Sequence, residues 1–278
     1  MKIRRITVLV LLALTLLFFL DLKFSGLSAL FRDPSKKGIS LEMDLSGPNA
    51  QKTQHFAWDR EQVSALRISD HWGGEIRVAG TEGDQILIGT HLIAKAASAS
   101  RAEQLLEEWE VLERAEKNQV SYELAGQGPS KGNLKVIYQI QAPPGMKLLL
   151  EQKHGMVNVS GWEGDLRLEG QHAEIFVTDF AGSLAIKSNF SHLDLKNIEG
   201  AVIVEDAHST LSLDLINSAA GYDFDLNLNR GDLSGLLPSS LELEETGERK
   251  KLRGRVGAGA NPVKIKGEFS TLTLSLKD

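Results

Sequence analysis

Apolar residues recur at every eighteenth position between Lys147 and Ser218, in four consecutive units without a gap. Each unit holds two pairs of apolar residues, and the members of a pair lie two positions apart, which is the alternation of a half-buried strand. The equivalent positions are Leu148, Leu166, Leu184 and Val202; Leu150, Leu168, Ile186 and Val204; Val157, Ile175, Leu193 and Leu211; and Val159, Val177, Leu195 and Leu213. Because short strands at a fixed period predict stacked coils, we expect an all-β, single-stranded β-solenoid, or β-helix, with one repeat in each coil.

A left-handed hexapeptide helix is the main alternative fold, because the period of the repeat is a multiple of six. That fold needs an aliphatic residue at every sixth position. Counting six positions on from the second apolar position of each unit gives Met156, Glu174, His192 and Thr210. Three of these four residues are polar, which disfavours the hexapeptide helix and the acyltransferases that use it.

The pattern of two apolar pairs continues on both sides of the four units. On the N-terminal side Ile86-x-Ile88 is expected to start a further coil, and on the C-terminal side the last two pairs are expected to close the stack. The matching pairs are Leu66-x-Ile68, Ile76-x-Val78, Val263-x-Ile265 and Leu272-x-Leu274. We therefore predict that the solenoid domain covers residues 63–278, with the regular repeats at residues 147–218.

One segment has helical spacing instead of strand alternation. Ala102, Leu105, Leu106 and Trp109 are spaced at helical intervals, and Ser98 or Ser100 can cap the helix. We predict one inserted helix near residues 98–109, which covers an exposed flank or end of the strand stack. Further alternating strands are predicted at residues 120–124, 134–140 and 222–228, and a charge-paired hairpin at residues 242–255.

The N-terminus has the pattern of a membrane-targeting segment. Lys2, Arg4 and Arg5 precede an uncharged apolar run from Ile6 to Leu20. An uncleaved transmembrane signal anchor is favoured over a cleaved, secreted form, because no Ala-x-Ala cleavage site follows the run. The basic residues then keep the start of the chain in the cytoplasm and place the C-terminal domain outside the cell membrane. We divide the residues before the solenoid domain into a membrane anchor or signal segment at 1–31 and a linker with an entry strand at 32–62.

The composition excludes several classes of function. The net charge of −6 gives no basic stripe for nucleic acid. The chain has no cysteine, so it has no disulfide, thiol nucleophile or iron–sulfur ligand. Neither a Gly-x-Ser-x-Gly nor a His-Glu-x-x-His motif is present. We therefore assign no catalytic residue, no cofactor and no metal ligand.

The strand-Gly-strand coils, the turn at Ala142-Pro143-Pro144-Gly145 and the closing segment Gly257–Ile265 resemble a bacterial family of β-strand-repeat proteins. That family is known as "putative adhesin", a domain of unknown function, and the resemblance covers residues 63–278. His154 departs from it, because the family commonly has a small polar residue before this turn glycine. The resemblance implies a membrane-attached or exported β-solenoid associated with envelope stress or surface contact, and it implies no active site.

Three histidines share one position of the repeat, which raises the possibility of a metal site. They are His154, His172 and His208, but the same position holds Phe190 in the third unit, Trp72 in an early coil and Phe269 in the last coil. Flat side chains stacked at a corner account for all six residues, whereas a metal accounts for three. We therefore predict a ladder of stacked rings instead of a metal site.

Three other motifs have structural explanations. Arg230-Gly231-Asp232 spells the integrin tripeptide, but it follows a strand and suits a turn. The acidic run that starts at Asp223 resembles a calcium loop, yet Leu228 stands where that loop needs glycine. The basic run 249–255 follows the acidic run 242–248, and we expect the two runs to neutralise each other across a hairpin.

These features together predict a non-catalytic module for adhesion, scaffolding or interaction at the bacterial cell envelope. An envelope-stress signalling accessory is one alternative, and a glycan-processing enzyme with outward carboxylates is another. The expected partners are the membrane, through the N-terminal segment, and a cell-wall polymer, a membrane sensor protein or a second copy of the chain. Nucleic acid is not expected.

Overall fold

The computed structural model describes residues 40–42, 49–70, 73–126 and 133–277. These residues form one α-helix, one short 3-10 turn at Arg60–Gln62 and twenty strands, which confirms the all-β class with one inserted helix. The predicted N-terminal membrane segment and Trp72 lie outside the described residues. Among the residues that are described, no helix has the length and apolar character needed to cross a membrane.

The strands are numbered in chain order and the helix is α1 (Ala99–Glu108). The strands are β1 (Ser40–Glu42), β2 (Asn49–Asp59), β3 (Ala65–Asp70), β4 (Glu75–Gly80), β5 (Gln85–Lys95), β6 (Trp109–Glu116), β7 (Gln119–Gly126), β8 (Leu134–Ala142), β9 (Met146–Gln152), β10 (Gly155–Ser160), β11 (Glu163–Gln171), β12 (Ala173–Asn189), β13 (His192–Ala207), β14 (Thr210–Ile216), β15 (Tyr222–Asn229), β16 (Asp232–Leu236), β17 (Leu241–Thr246), β18 (Arg249–Val256), β19 (Asn261–Glu268) and β20 (Thr271–Lys277).

Successive repeats pair side by side as parallel strands, and their register keeps the period of the sequence. Leu166 pairs with Leu148 on one side and Leu184 on the other. The second apolar pair of each unit is aligned in the same way, from β10 through β12 and β13 to β14. Equivalent apolar side chains are therefore adjacent, and the sixteen positions predicted from the repeat are buried. Burial of each such side chain contributes roughly 1.5 to 3 kcal/mol.

The strands form two walls that are joined through the long strands β12 and β13. The first wall contains, in order, β6, β7, β3, β9, β11, the C-terminal halves of β12 and β13, β19, β15, β18 and β17. The second wall contains β1, β2, β5, β8, β4, β10, the N-terminal halves of β12 and β13, β14, β20 and β16. The buried apolar side chains of both walls belong to one core.

The N-terminal end of the stack differs from the expected further coil. Strand β5, which contains Ile86 and Ile88, pairs antiparallel with β2 and β8 and therefore does not start a parallel coil. Strand β2 pairs with β5 along its whole length from Asn49 to Asp59. The folded part consequently begins before Val63, because the long strand β2 is needed to cover the edge of β5.

Helix α1 closes this end of the core, as its spacing predicts. The Ser98 hydroxyl accepts the Arg101 backbone N–H at 3.3 Å, which caps the first turn. Ala102, Leu105 and Leu106 are buried, and the helix contacts β2, β5 and β6. The helix is one residue shorter at each end than predicted, because Trp109 already begins β6.

The C-terminal end corrects a second expectation. The pairs in β19 and β20 do not close the stack, because β19 lies between β13 and β15, and β20 lies between β14 and β16. Strands β15 to β18 precede β19 and β20 in the sequence but lie farther out in the stack. The chain then returns and places β19 between β13 and β15, and β20 between β14 and β16. Both edges of β19 are thereby paired with backbone neighbours.

The predicted hairpin is present, but its charge pairs are different. Strands β17 and β18 are antiparallel, with Gly247 in the turn at φ +59°. Arg253 and Arg255 form ion pairs with the aspartates of β15 at 3.1 and 3.4 Å, and not with the glutamates of β17. Strand β18 lies between β15 and β17, so Arg253 is opposite Asp225 on one side and Glu242 on the other, whereas Arg255 is opposite Asp223 and has no paired residue in β17.

The glycines that end three repeats form a column in which side chains are excluded. Gly182 has φ +136°, and a Cβ there would lie 2.2 Å from the carbonyl oxygen of Gly164. Gly200 has φ +113°, and its Cβ would lie 2.1 Å from the carbonyl oxygen of Gly182. The close approach of the backbones therefore requires glycine at each of these rungs.

Replacement of Gly182 by alanine should lower the free energy of unfolding by about 3 kcal/mol or more, because both φ and the backbone contact oppose a Cβ. Urea unfolding followed by circular dichroism measures the loss. Gly247→Ala is the matched control, since no atom lies within 4 Å of its Cβ position; its φ alone should cost about 1 kcal/mol. Equal losses in the two variants would refute the close-packed glycine column.

Candidate functional site

A ladder of stacked rings runs along one corner of the molecule, where strands of the first wall end. We call His154, His172, Phe190, His208 and Phe269 the ring ladder. The centroids of neighbouring rings are 5.4, 5.1, 4.7 and 4.9 Å apart, and the ring planes are within 10° of parallel. This geometry confirms the predicted stacking. Because Phe190 separates His172 from His208, the histidines do not converge on one point.

The backbone of the corner explains why the rings are parallel. His172, Phe190, His208 and Phe269 have φ between +51° and +54°, in the left-handed region. The same rare conformation in each coil sends each side chain out in the same direction, at the spacing of neighbouring strands. The ring planes therefore overlap with their neighbours.

A column of serines ties the corner together beneath the ring ladder. Ser191, Ser209 and Ser270 each follow a ladder residue and are buried. The backbone N–H of Ala173 donates to Ser191 Oγ at 3.3 Å, that of Ser191 to Ser209 Oγ at 3.2 Å, and that of Ser209 to Ser270 Oγ at 3.4 Å. Each of the three hydroxyls donates to the carbonyl oxygen two positions earlier in the chain. The column satisfies backbone groups that the sharp corner would leave unpaired.

Arg230 extends the ring ladder by one position. Its φ is +53°, and its guanidinium carbon lies 5.3 Å from the centroid of the Phe269 ring. The guanidinium also pairs with Glu248 at 2.5 Å, while Asp232 pairs with Lys250 at 3.0 Å. Both charged residues of the Arg-Gly-Asp tripeptide therefore have partners within the fold, which supports its interpretation as a turn.

Polar side chains also lie inside the corner, at the third inward position of the first-wall strands. Asp70 Oδ2 accepts the backbone N–H of Gly74 at 2.7 Å and Gln152 Nε2 at 2.9 Å. At the equivalent position farther along, Asp206 is 8% exposed, and its Oδ2 has no hydrogen-bond partner among the described residues. Burial raises the pKa of the Asp206 carboxyl.

A groove runs along the first wall, directly beside the ring ladder. Its central part has a volume of about 500 Å³ and is lined by side chains that include Lys187, Glu205, Lys266 and Arg249. A segment of about 320 Å³ continues it toward Gln152, and the two segments share residues 187–189. A third segment of about 390 Å³ continues it toward β17, sharing Asn229 and Arg249 with the central part. We call these three segments together the outer groove.

Charges of opposite sign alternate along the outer groove. Lys187, Glu205 and Lys266 occupy paired positions on three successive strands, and Lys266 Nζ lies 3.4 Å from Glu205 Oε1. Amide side chains lie among these charges, and the Oδ1 atoms of Asn189 and Asn227 have no hydrogen-bond partner within the described part of the chain. The groove therefore offers many hydrogen-bonding groups without a large field of one sign.

Two outward carboxylates lie on neighbouring strands of the first wall. Glu151 and Glu169 are paired in register between β9 and β11. Each has an arginine partner: Arg67 binds Glu151, and Arg167 Nη2 lies 2.8 Å from Glu169 Oε1. Because both glutamates are partly solvated and held by cations, neither has the desolvated environment of a general acid.

Arginine side chains form ion pairs with the carboxylates of the calcium-like run that starts at Asp223. Asp223 and Asp225 are the carboxylates that pair with Arg255 and Arg253, and the intervening Phe224 is buried. Across residues 40–42, 49–70, 73–126 and 133–277, no group of three His, Asp or Glu side chains has the arrangement of a metal site. The ion pairs with Arg255 and Arg253 support a solvent-facing row of aspartates instead of a calcium loop.

Among the solved structures similar to this chain, a "putative cell adhesion protein" from Clostridium sporogenes is 15% identical with a TM-score of 0.43, covering 82% of this chain and 100% of that one. A "putative adhesin" from Bacteroides fragilis is 10% identical with a TM-score of 0.27, covering 80% and 96%. A "putative lipid binding protein" from Parabacteroides distasonis is 7% identical with a TM-score of 0.28, covering 80% and 97%. The sequence matches no family model and no curated protein. Identities this low transfer no ligand and no activity to this chain.

The stacking of the ring ladder can be tested at Phe190, which contacts His172 and His208. Phe190→Ala should lower the free energy of unfolding by about 1 to 3 kcal/mol, because two ring contacts are lost. Phe190→His is the matched control and should retain most of the stability, since histidine occupies the equivalent position in other coils. Chemical denaturation of both variants at one fixed pH gives both values. A histidine variant as unstable as the alanine variant would contradict a stacking role.

The buried carboxyl of Asp206 should make stability depend on pH. A raised folded-state pKa means that its stabilising contribution is complete below the unfolded-state value of 3.8 and is lost as the pH rises through the folded-state value. Asp206→Asn should therefore raise the melting temperature at neutral pH, and the gain should shrink as the solution is acidified toward the unfolded-state value. The exposed Asp225→Asn should show no such gain. A lower melting temperature for Asp206→Asn at neutral pH would show that the charge is needed.

Proposed function

We propose that this chain is a membrane-anchored β-solenoid, located outside the cytoplasm, that acts as a non-catalytic adhesion or scaffold module of the bacterial envelope. The observation that carries this proposal is the outer groove, which follows the stack axis across the seven first-wall strands from β11 to β17. A groove of this form suits an extended partner, because it is long, open and continuous. The apolar N-terminal run and the basic residues before it support the proposed location.

Binding is favoured over catalysis by the state of the acidic side chains. A glycan-processing enzyme needs one carboxylic acid whose environment favours the protonated form beside one that is ionised. The aligned pair Glu151 and Glu169 is partly exposed to solvent and neutralised by arginines. The desolvated carboxyl of Asp206 is buried on the inward side of its strand beside Ser270, and strand alternation places its neighbour Glu205 on the opposite face. Neither arrangement supplies the required pair.

An envelope-stress accessory is the second candidate function. The edge strand β17 supports it, because Glu242, Glu244 and Glu245 are exposed and form no ion pair within the described residues. An acidic edge can guard against self-association and can also meet a basic segment of a sensor protein. The two functions differ in the partner that binds this protein in the cell.

The absence of cysteine makes a direct test in intact cells practicable. Asn229→Cys places a thiol in the outer groove, and Ser212→Cys places one on the outer face of the second wall. A membrane-impermeant maleimide that carries a photocrosslinker should label both, and illumination should give a high-mass adduct with wall polymer from position 229 alone.

Failure of both thiols to react in intact cells, with reaction after lysis, would overturn the proposed location. Equal adducts from both positions would overturn the assignment of the outer groove as the binding surface. An adduct with a membrane protein from position 229 alone, in place of the adduct with wall polymer, would favour stress signalling over adhesion.

A further inference from the structure

We propose that the outer groove binds a linear polysaccharide of low net charge, laid along the stack axis with the ring ladder at its border. This inference rests on the proposed function and names the class of ligand for the same surface. Three properties of the groove carry it: its length, the pattern of its charges, and the position of an apolar ridge beside a polar floor.

The length of the groove matches a polymer and exceeds what a small molecule needs. Seven strands cross it in order: β11, β12, β13, β19, β15, β18 and β17. At a spacing of about 4.8 Å, the six intervals between them extend over about 29 Å. A small-molecule site is usually one concave pocket, whereas here three open segments share lining residues end to end.

The charges exclude a polyanion and disfavour a lipid. A polyanion needs a row of cations, because its affinity comes from neutralising successive charges. Here the central segment contains Lys187, Lys266 and Arg249 but also Glu205 and Glu268. A lipid chain would need a continuous apolar lining, which these charged residues interrupt. Alternating charges and amides instead suit hydroxyl groups, which donate to carboxylates and accept from ammonium and amide groups.

The floor of the groove has a gap at its centre. Asn189, Ala207 and Glu268 are paired in register on three successive strands, so the small Ala207 lies between two longer side chains. The amide of Asn189 and that of Asn227 each have an oxygen without a hydrogen-bond partner among the described residues. Both oxygens are buried below the groove surface, so the gap at Ala207 is the feature of the floor that a ligand can occupy.

The apolar ridge fits the other surface of a sugar. Each ladder ring directly follows a groove residue in the chain, as in Asn189-Phe190, Ala207-His208 and Glu268-Phe269. Phe190 is 49% exposed and Phe269 is 43% exposed, although both are large and apolar. Sugars combine hydroxyl edges with apolar C–H surfaces, so a polar groove bordered by exposed apolar rings is complementary to both.

Native affinity electrophoresis tests the proposal with the full chain in a polyoxyethylene detergent, which has no sugar headgroup. The gels contain hydroxyethyl cellulose, glucomannan or linear dextran as uncharged probes, and heparin or polygalacturonate as anionic probes. At least one uncharged polymer should retard the wild-type chain. Ala207→Arg fills the central gap and should weaken this binding by about tenfold or more. Ser212→Arg adds the same side chain to the second wall and should bind like the wild type.

Retardation by the anionic polymers alone, equal retardation of the Ala207→Arg and wild-type chains, or no retardation by any polymer would overturn the proposal. Circular dichroism and melting temperature establish that both arginine variants are folded, as expected from the partly exposed position of each residue. The crosslinking in cells reports any macromolecule in the groove, whereas the gels report polysaccharides only. A crosslink to protein together with negative gels would therefore overturn the ligand class and leave the interaction function in place.

Discussion

Backbone pairing between equivalent segments of successive repeats is the interaction on which the rest of the structure depends. Each strand in the middle of the stack donates and accepts hydrogen bonds on both edges, and the parallel register keeps the same offset from one coil to the next. Because neighbouring strands are only about 4.8 Å apart, the side chain at each position of one repeat must be compatible with the side chain at the equivalent position of the next repeat. The aliphatic rows of the core, the glycine column, the serine column and the ring ladder are four consequences of this single constraint.

The ends of such a stack need separate solutions, because an end strand has an unpaired edge. At the N-terminal end the long antiparallel strands β2 and β5 and the helix α1 cover the core. At the other end the chain forms β15 to β18 and then returns to place β19 and β20 inside the stack. The outermost strand of the first wall there, β17, is exposed and rich in glutamate, which disfavours pairing with a second copy of itself. The two ends are therefore chemically different, and the molecule has a polarity along its axis.

The proposed function lies on the outer face of the first wall, where the stacking constraint is weakest. The first two inward positions of each strand are apolar and of matched size, so they repeat. Outward positions need only to be solvated, so Lys187, Glu205 and Lys266 follow one another without repeating a residue type across adjacent strands. The corner with the ring ladder borders the middle of this face, from β9 to β19. A scaffold whose core is regular can in this way present a varied surface along a straight line.

The sequence by itself determined the all-β class, the strand pairs of the repeat, the single helix and the stacking of His154, His172, Phe190, His208 and Phe269, because burial and left-handed corners restrict the residue types that fit. It did not determine the order of the strands at the two ends, the partners of Arg253 and Arg255, or the outer groove. Those features arise from pairing between segments far apart in the chain, such as β13 with β19, where Val202 lies opposite Val263. Only the tertiary structure decides which outward side chains become neighbours, since solvation imposes no period on them.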